Sequence, residues 1–231
     1  MSVSALHGFL YGTLVGGAAC ADVPAKDYYK ELLRMVRDGE VPEGFEEYVD
    51  IVCQVSDIMI KHYDHYIENI WAEEERKIKE YIPQVLRLFE ESGFTDKAEA
   101  LVGCKLPNEY FTATLVTSVE NGAEAIDIST EQDVFGIERT PMDGFYFIGH
   151  EFIIYLLFTA LKDENSFQSF ETWSITEGLA EYYLKKIMGD TRFFDGQQKV
   201  VKFFEECEKE GNLSAVELYR RGLSASTIRG K

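Results

Sequence analysis

The chain has 231 residues, 45% hydrophobic and 13% aromatic, with a formal net charge of −18 and a pI near 4.6. This composition belongs to a globular protein rather than a disordered one, and the length suits one large core or two small ones. A nucleic-acid binder would carry a basic face. The acid excess instead repels polyanions and anionic membranes, which leaves a solvated acidic surface or one shaped for a basic partner.

Phe9 to Ala21 is apolar and rich in small residues, and Ala18-Ala19-Cys20-Ala21 vaguely resembles a processing site. No Lys or Arg precedes the run, and Gly8, Gly12, Gly16 and Gly17 interrupt it. A secretory signal starts basic, and the run is too short to span a bilayer. The reading is a core helix in a cytoplasmic protein, the alternative being an exported protein with a signal over residues 1–21. The glycine-rich stretch 12–17 has no lysine and is a weak phosphate signal.

Tyr28, Leu32, Leu33 and Val36 have helical spacing, which predicts a helix over 27–38 closed by Gly39. Pro42 and Gly44 make a turn. A long helical pattern then runs from Phe45 to Ile82, where Pro83 kinks or restarts it. Val85, Leu86, Leu88 and Phe89 continue the pattern to Ser92-Gly93. Within this part, His62 and His65 sit among Lys61, Asp64 and Glu68 and read as solvated. Glu73-Glu74-Glu75 reads as a wet helix face, and Trp71, like Trp173 later, as a core anchor.

Tyr110 to Val119 is rich in strand formers, Glu120-Asn121-Gly122 signals a tight turn, and Ala123 to Ser129 alternates. These predict an antiparallel hairpin, with a third strand near 134–137. The four cysteines (20, 53, 104 and 207) are widely spaced, with no C-x-x-C pair. That argues against a cysteine zinc site or a disulfide framework. Cys53 reads as a buried thiol.

Pro141 suits the first turn of a helix. Phe145 to Leu161 is apolar apart from His150, Glu151 and Thr159, so that helix is buried on every side. A polar connection over 162–170 leads to a helix from Trp173 to Met188, stopped by Gly189-Asp190. Two short helices follow near 195–210 and 214–222. The fold class is α+β, mostly helical with a small antiparallel hairpin or sheet. One domain is expected: a helical part over 1–92, a middle part over 107–190 and C-terminal helices over 191–231.

His150 and Glu151 are the strongly polar residues of a buried helix, and a buried carboxylate needs a partner. Glu177 and Glu181 lie one turn apart on the next helix and share a face. Gly178 and Ala180 are small enough to let that helix approach a neighbour. His-Glu on one helix facing Glu-x-x-x-Glu on another is a plausible Zn²⁺ ligand set.

Gly149-His150-Glu151-Phe152-Ile153-Ile154 and Trp173-Ser174-Ile175-Thr176-Glu177-Gly178-Leu179-Ala180-Glu181-Tyr182 together resemble the gluzincin class of zinc metallopeptidases. That class pairs H-E-x-x-H on one helix with a glutamate ligand on a later one, often within an E-G-x-A-E-Y phrase. The resemblance follows the order of elements over residues 107–190, where the upstream hairpin would supply the edge strand along a substrate groove. It implies that His150 is a zinc ligand, Glu151 the general base that activates bound water and Glu177 the third protein ligand. Glu181 would hold the His150 ring through its other nitrogen.

The departure is Ile154, which stands where the second histidine belongs and has no lone pair to give a metal. Catalytic zinc takes three protein ligands plus water. Tyr155 points about 100° away on the helix. His62, His65 or Glu181 are the other conceivable replacements. Otherwise His150 and Glu181 form a buried hydrogen-bonded pair, or the polar pair is incidental to a helical core.

The chain has no G-x-x-x-x-G-K-[ST], G-x-G-x-x-G or G-x-S-x-G motif. The expected function is a degenerate metallopeptidase-like protein without standard proteolytic activity, in which zinc is doubtful. The alternatives are a peptidase with an unconventional third ligand, acting on peptide or protein, and an acidic helical binding or scaffold protein. Neither a nucleic-acid partner nor a membrane span is expected.

Overall fold

The computed structural model describes residues 14, 17–41, 46–108, 110–117, 123–127, 131–137, 140–164, 169–189 and 197–225. Its architecture is mostly helical α+β with one small sheet. Chain contacts divide it into two compact units: Met1–Pro83 with Thr112–Glu138, and Gln84–Phe111 with Arg139–Lys231. The strands therefore group with the N-terminal helices, not with the helix that carries His150.

In the first unit, α1 (Gly17–Cys20) and α2 (Ala25–Arg37) lead through a short 3₁₀ turn (Glu46–Tyr48) into α3 (Val49–Tyr66). Leu14, Tyr29 and Val52 form a buried cluster, with Ala18, Leu32, Val36 and Val55 packed around it. The Tyr29 hydroxyl donates to the Leu14 carbonyl, so its polar tip is satisfied inside an apolar cluster. Part of the expected N-terminal core helix is thus seen at Leu14 and α1; residues 9–13 and 15–16 lie outside the described residues.

The long helical pattern is almost continuous. A π turn at Ile67–Trp71 joins α3 to α4 (Ala72–Ser92). Pro83 sits inside α4 without ending it, and the boundary between the two units falls just after it. Asn69 at the π turn donates to the His65 carbonyl at 2.9 Å. His62 and His65 are exposed, as their neighbours imply. Glu73 and Glu75 pair with Arg76 and Lys79 along the helix surface. Cys53 is half-buried rather than buried.

The sheet differs from the expected hairpin. Its strands are β1 (Thr112–Val116), β2 (Ala123–Asp127) and β3 (Gln132–Gly136), in the order β1-β3-β2. β1 runs parallel to β3, from Thr112↔Gln132 to Val116↔Gly136. β2 runs antiparallel to β3 from Ala123↔Phe135 to Asp127↔Gln132, with a register shift between Ala125 and Asp127. The central place goes to β3 because Asp133, Val134 and Phe135 are buried in succession. A strand covered on both faces belongs inside a sheet, whereas β1 is half-buried throughout. The Asn121-Gly122 turn lies outside the described residues.

Among the described residues, the second unit holds the end of α4 and five helices: α5 (Phe94–Val102), α6 (Pro141–Ala160), α7 (Phe170–Met188), α8 (Gln198–Glu208) and α9 (Ala215–Ser224). Gly93, at φ 61°, supplies the left-handed residue that turns the chain from α4 into α5. The helix α5 was not expected from the sequence, although Phe94, Ala98 and Val102 are spaced one turn apart and all are buried. An edge-to-face aromatic set holds α4, α5 and α6 together: Phe89 to Phe145 at 4.5 Å and Phe94 to Phe145 at 5.5 Å. Among the described residues, no helix is long and apolar enough to cross a membrane.

Candidate functional site

The two helices that matter each begin with a reciprocal cap. The Thr140 hydroxyl accepts from the Asp143 backbone N–H, while the Asp143 carboxylate takes the Thr140 backbone N–H at 3.1 Å. Ser169 and Thr172 repeat the arrangement for α7. Each cap satisfies donors that the first turn leaves open and so fixes where α6 and α7 start. Pro141 stands in the first turn of α6, as its fixed φ favours. From these starts His150 falls mid-way along α6, and Glu177 and Glu181 fall on consecutive turns of α7.

The helices bring three predicted residues together. His150 is 2% exposed and Glu181 is fully buried. The His150 Nε2 lies 3.0 Å from Glu177 Oε2, and its Nδ1 lies 2.8 Å from Glu181 Oε1. The first contact is a well-aligned hydrogen bond. The second is as close, but the carboxylate lies off the line of the ring N–H, so it is an ion-pair contact rather than an ideal hydrogen bond. The imidazole is thus bracketed, one carboxylate at each nitrogen.

Electrostatics follow from that bracket. Burial alone would push the imidazole down. Hydrogen bonding to Glu177 and Glu181, helped by the charge of Glu151, outweighs it and holds His150 well above its ordinary value. Burial pushes the Glu181 carboxyl up, against the pull of the His150 charge. A carboxylate oxygen thus lies within 3.0 Å of each ring nitrogen.

Behind the site, α7 presses on α8. A Cβ at Gly178 would fall 2.3 Å from the Val200 Cγ1, so only glycine lets the two helices meet at this separation. On α6, Gly149 plays the same part against the Phe94 ring, where a Cβ would come within 2.8 Å. The glycines flanking the polar residues therefore let α6 approach α5 and α7 approach α8.

The remaining predicted residues behave differently. Glu151 is half-buried beside His150. Ile154 is 5% exposed and belongs to the apolar core of α6. Tyr155 packs its ring against Phe111 at 5.4 Å and Phe158 at 5.7 Å, so it serves the aromatic core. Trp173, expected as a core anchor, is 44% exposed. α7 begins at Phe170, which leaves Trp173 in the first turn, ahead of the stretch from Ile175 to Leu184, buried except for half-buried Glu177. His62 and His65 belong to the first unit. Cys53, Cys104 and Cys207 are free thiols, and Cys104 donates to the Leu156 carbonyl at 3.3 Å.

Glu177 and Glu181 approach opposite nitrogens of one ring, so an ion bound at the His150 Nε2 could also meet Glu177 but not Glu181. Among the described residues, no group of three His, Cys, Asp or Glu side chains is placed to hold a metal. Comparison of the chain with family models, curated proteins and solved structures gives no match.

Proposed function

We propose that this chain is a zincin-like domain whose metal site has degenerated, and that it does not hydrolyse peptides. One observation carries the reading: His150 is bracketed by Glu177 and Glu181 while Ile154 fills the place of the second histidine. The H-E pair on one helix and the E-G-L-A-E-Y phrase on the next converge in the order that the gluzincin resemblance implies. Glu181 stands at the far nitrogen of the ring, where that class places the group that orients a histidine ligand.

What has gone is the lone pair that one more ligand would supply. With His150 and Glu177 as the sole donors, a catalytic zinc lacks its third protein ligand. Glu151, the general base of the ancestral chemistry, then has no metal-bound water to activate. Its carboxylate instead adds negative charge around the imidazolium.

The test is zinc content and peptidase activity of the purified protein. Substoichiometric zinc and no hydrolysis of a mixed peptide substrate are expected. One equivalent of zinc, lost together with peptide hydrolysis in His150→Ala, would establish a metallopeptidase with an unconventional third ligand instead.

A further inference from the structure

We infer that Tyr66 and Glu74 form a latch that holds the π turn of the first unit. Opening the latch returns the turn to the α-helical register and rotates α3 about its axis relative to the first turns of α4. The inference is independent of the site on α6 and α7.

A π turn bonds each N–H five residues back instead of four, so it takes one extra residue into a single turn. Such turns are rare and occur often at functional sites. An unfavourable backbone persists only where its surroundings over-determine it. Around Ile67–Trp71 the core gives little of that support: Ser56 and Tyr81 are buried, but no residue from Asp57 to Glu80 is. The hold must come from side chains on the helix itself.

The Tyr66 hydroxyl donates to Glu74 Oε2 at 2.5 Å, across the turn. In a straight α-helix, residues eight apart are separated by about 12 Å along the axis and about 80° around it. Helical side chains lean toward the N-terminus, so Tyr66 would lean away from Glu74. The extra residue removes roughly 100° of rotation between the two, which brings them onto one face. The hydrogen bond therefore belongs to the π register and is lost in the α register. The Tyr66 ring also meets Trp71, at 6.3 Å between centroids. The Asn69 side-chain amide donates to the His65 carbonyl at 2.9 Å, a group that the backbone N–H of Asn69 serves in an α-helix. Glu73 and Glu75, on either side of Glu74, are tied to Arg76 and Lys79 instead.

A register change in this stretch disturbs no buried residue within it. The two ends carry the consequence: α3 turns by about 100° against the start of α4. Ile67 and Ile70, both exposed at the turn, travel round the helix with it. The π turn is thus a one-residue rotary joint, and a single hydroxyl fastens it.

The experiment reads through-hydrogen-bond couplings of the Trp71 amide by NMR on the deuterated full chain. A π turn bonds that N–H to the Tyr66 carbonyl, and an α-helix bonds it to the Ile67 carbonyl. The wild type should couple to Tyr66. Tyr66→Phe and Glu74→Ala should each move the coupling to Ile67 while the circular dichroism stays that of the wild type. Glu75→Ala, which breaks the neighbouring pair with Lys79 and not the latch, should keep the coupling to Tyr66. Retention of the Tyr66 coupling in either latch variant, or loss of both couplings through fraying, would overturn the inference. So would the same shift in Glu75→Ala, or coupling to Ile67 in the wild type.

Discussion

Gly178 and Val200 stand so close that a methyl group on the glycine would lie 2.3 Å from the valine Cγ1 and 2.7 Å from its Cβ. Replacing a helical glycine by alanine ordinarily stabilises a helix by about 1 kcal/mol. Here the steric term is larger, because both nearby atoms belong to a short branched side chain on a packed helix. Overfilled cores lose roughly 1–3 kcal/mol. Gly178→Ala should therefore be destabilising, with a lower midpoint in urea unfolding. Val200→Ala in the same chain removes the nearer atom and should relieve part of the loss. A neutral or stabilising Gly178→Ala would show that α7 and α8 are not pressed together.

The caps of the two site helices should act alike and independently. Thr140→Ala and Ser169→Ala each remove a side-chain acceptor for a first-turn backbone N–H. Each should cost about 1 kcal/mol, a Tm decrease of roughly 2–4 °C for a chain of this size. The double variant should lose the sum, because the caps sit on different helices and share no partner. Clear non-additivity would reveal that the two starts are coupled.

These caps also show what the sequence made legible. Thr140-Pro141 with Asp143 is a local signal, and Pro141 placed the start of α6 correctly. The one-turn spacing of Glu177 and Glu181 is local too, and it put both carboxylates on one face. That His150 would meet them followed from burial: an interior histidine needs polar partners, and the next helix offered two. The sheet was harder, because strand pairing is decided between distant segments. Asn121-Gly122 suggested that β1 and β2 pair, yet β3 lies between them, since its consecutive Asp133, Val134 and Phe135 are all buried. No short-range pattern near residue 121 carries that information. The helix Phe94–Val102 escaped notice because its apolar face is short, with small Ala98 at its centre. Trp173 misled because its size argues for burial, whereas its exposure depends on how far the helix start lies from the packed stretch.

Pro83 offers a gain of stability. It occupies the interior of α4, well past the first turn, and its side chain is exposed. An interior proline forgoes a backbone hydrogen bond and crowds the preceding turn, a cost of about 3 kcal/mol. Proline also restricts the unfolded chain, which returns up to about 1 kcal/mol. Pro83→Ala should leave a net stabilisation, with a higher Tm and slower amide exchange in the turns around position 83. An unchanged or lower Tm would show that the fold itself needs proline at position 83.

The sharpest prediction concerns Ile154. It lies one turn beyond His150 on α6, so a histidine there would share the face that bears His150. Ile154→His would then complete a donor set of two histidines and Glu177, of the kind that holds catalytic zinc. Two costs oppose it: a polar ring must enter a site that is 5% exposed, and zinc must displace the hydrogen bond between His150 and Glu177. The ligand bonds outweigh both if the helix pair has the zincin-like geometry proposed above. Zinc affinity by isothermal titration should rise by more than the roughly 10–100-fold that outer partners of a metal site command. Zinc should also raise Tm in Ile154→His but not in the wild type, as expected for a ligand that binds only the folded state. Ile154→His protein that is folded, by its circular dichroism, yet gains no zinc would falsify the zincin-like arrangement. The Glu–His–Glu cluster would then stand as an ion-paired core with no metal ancestry.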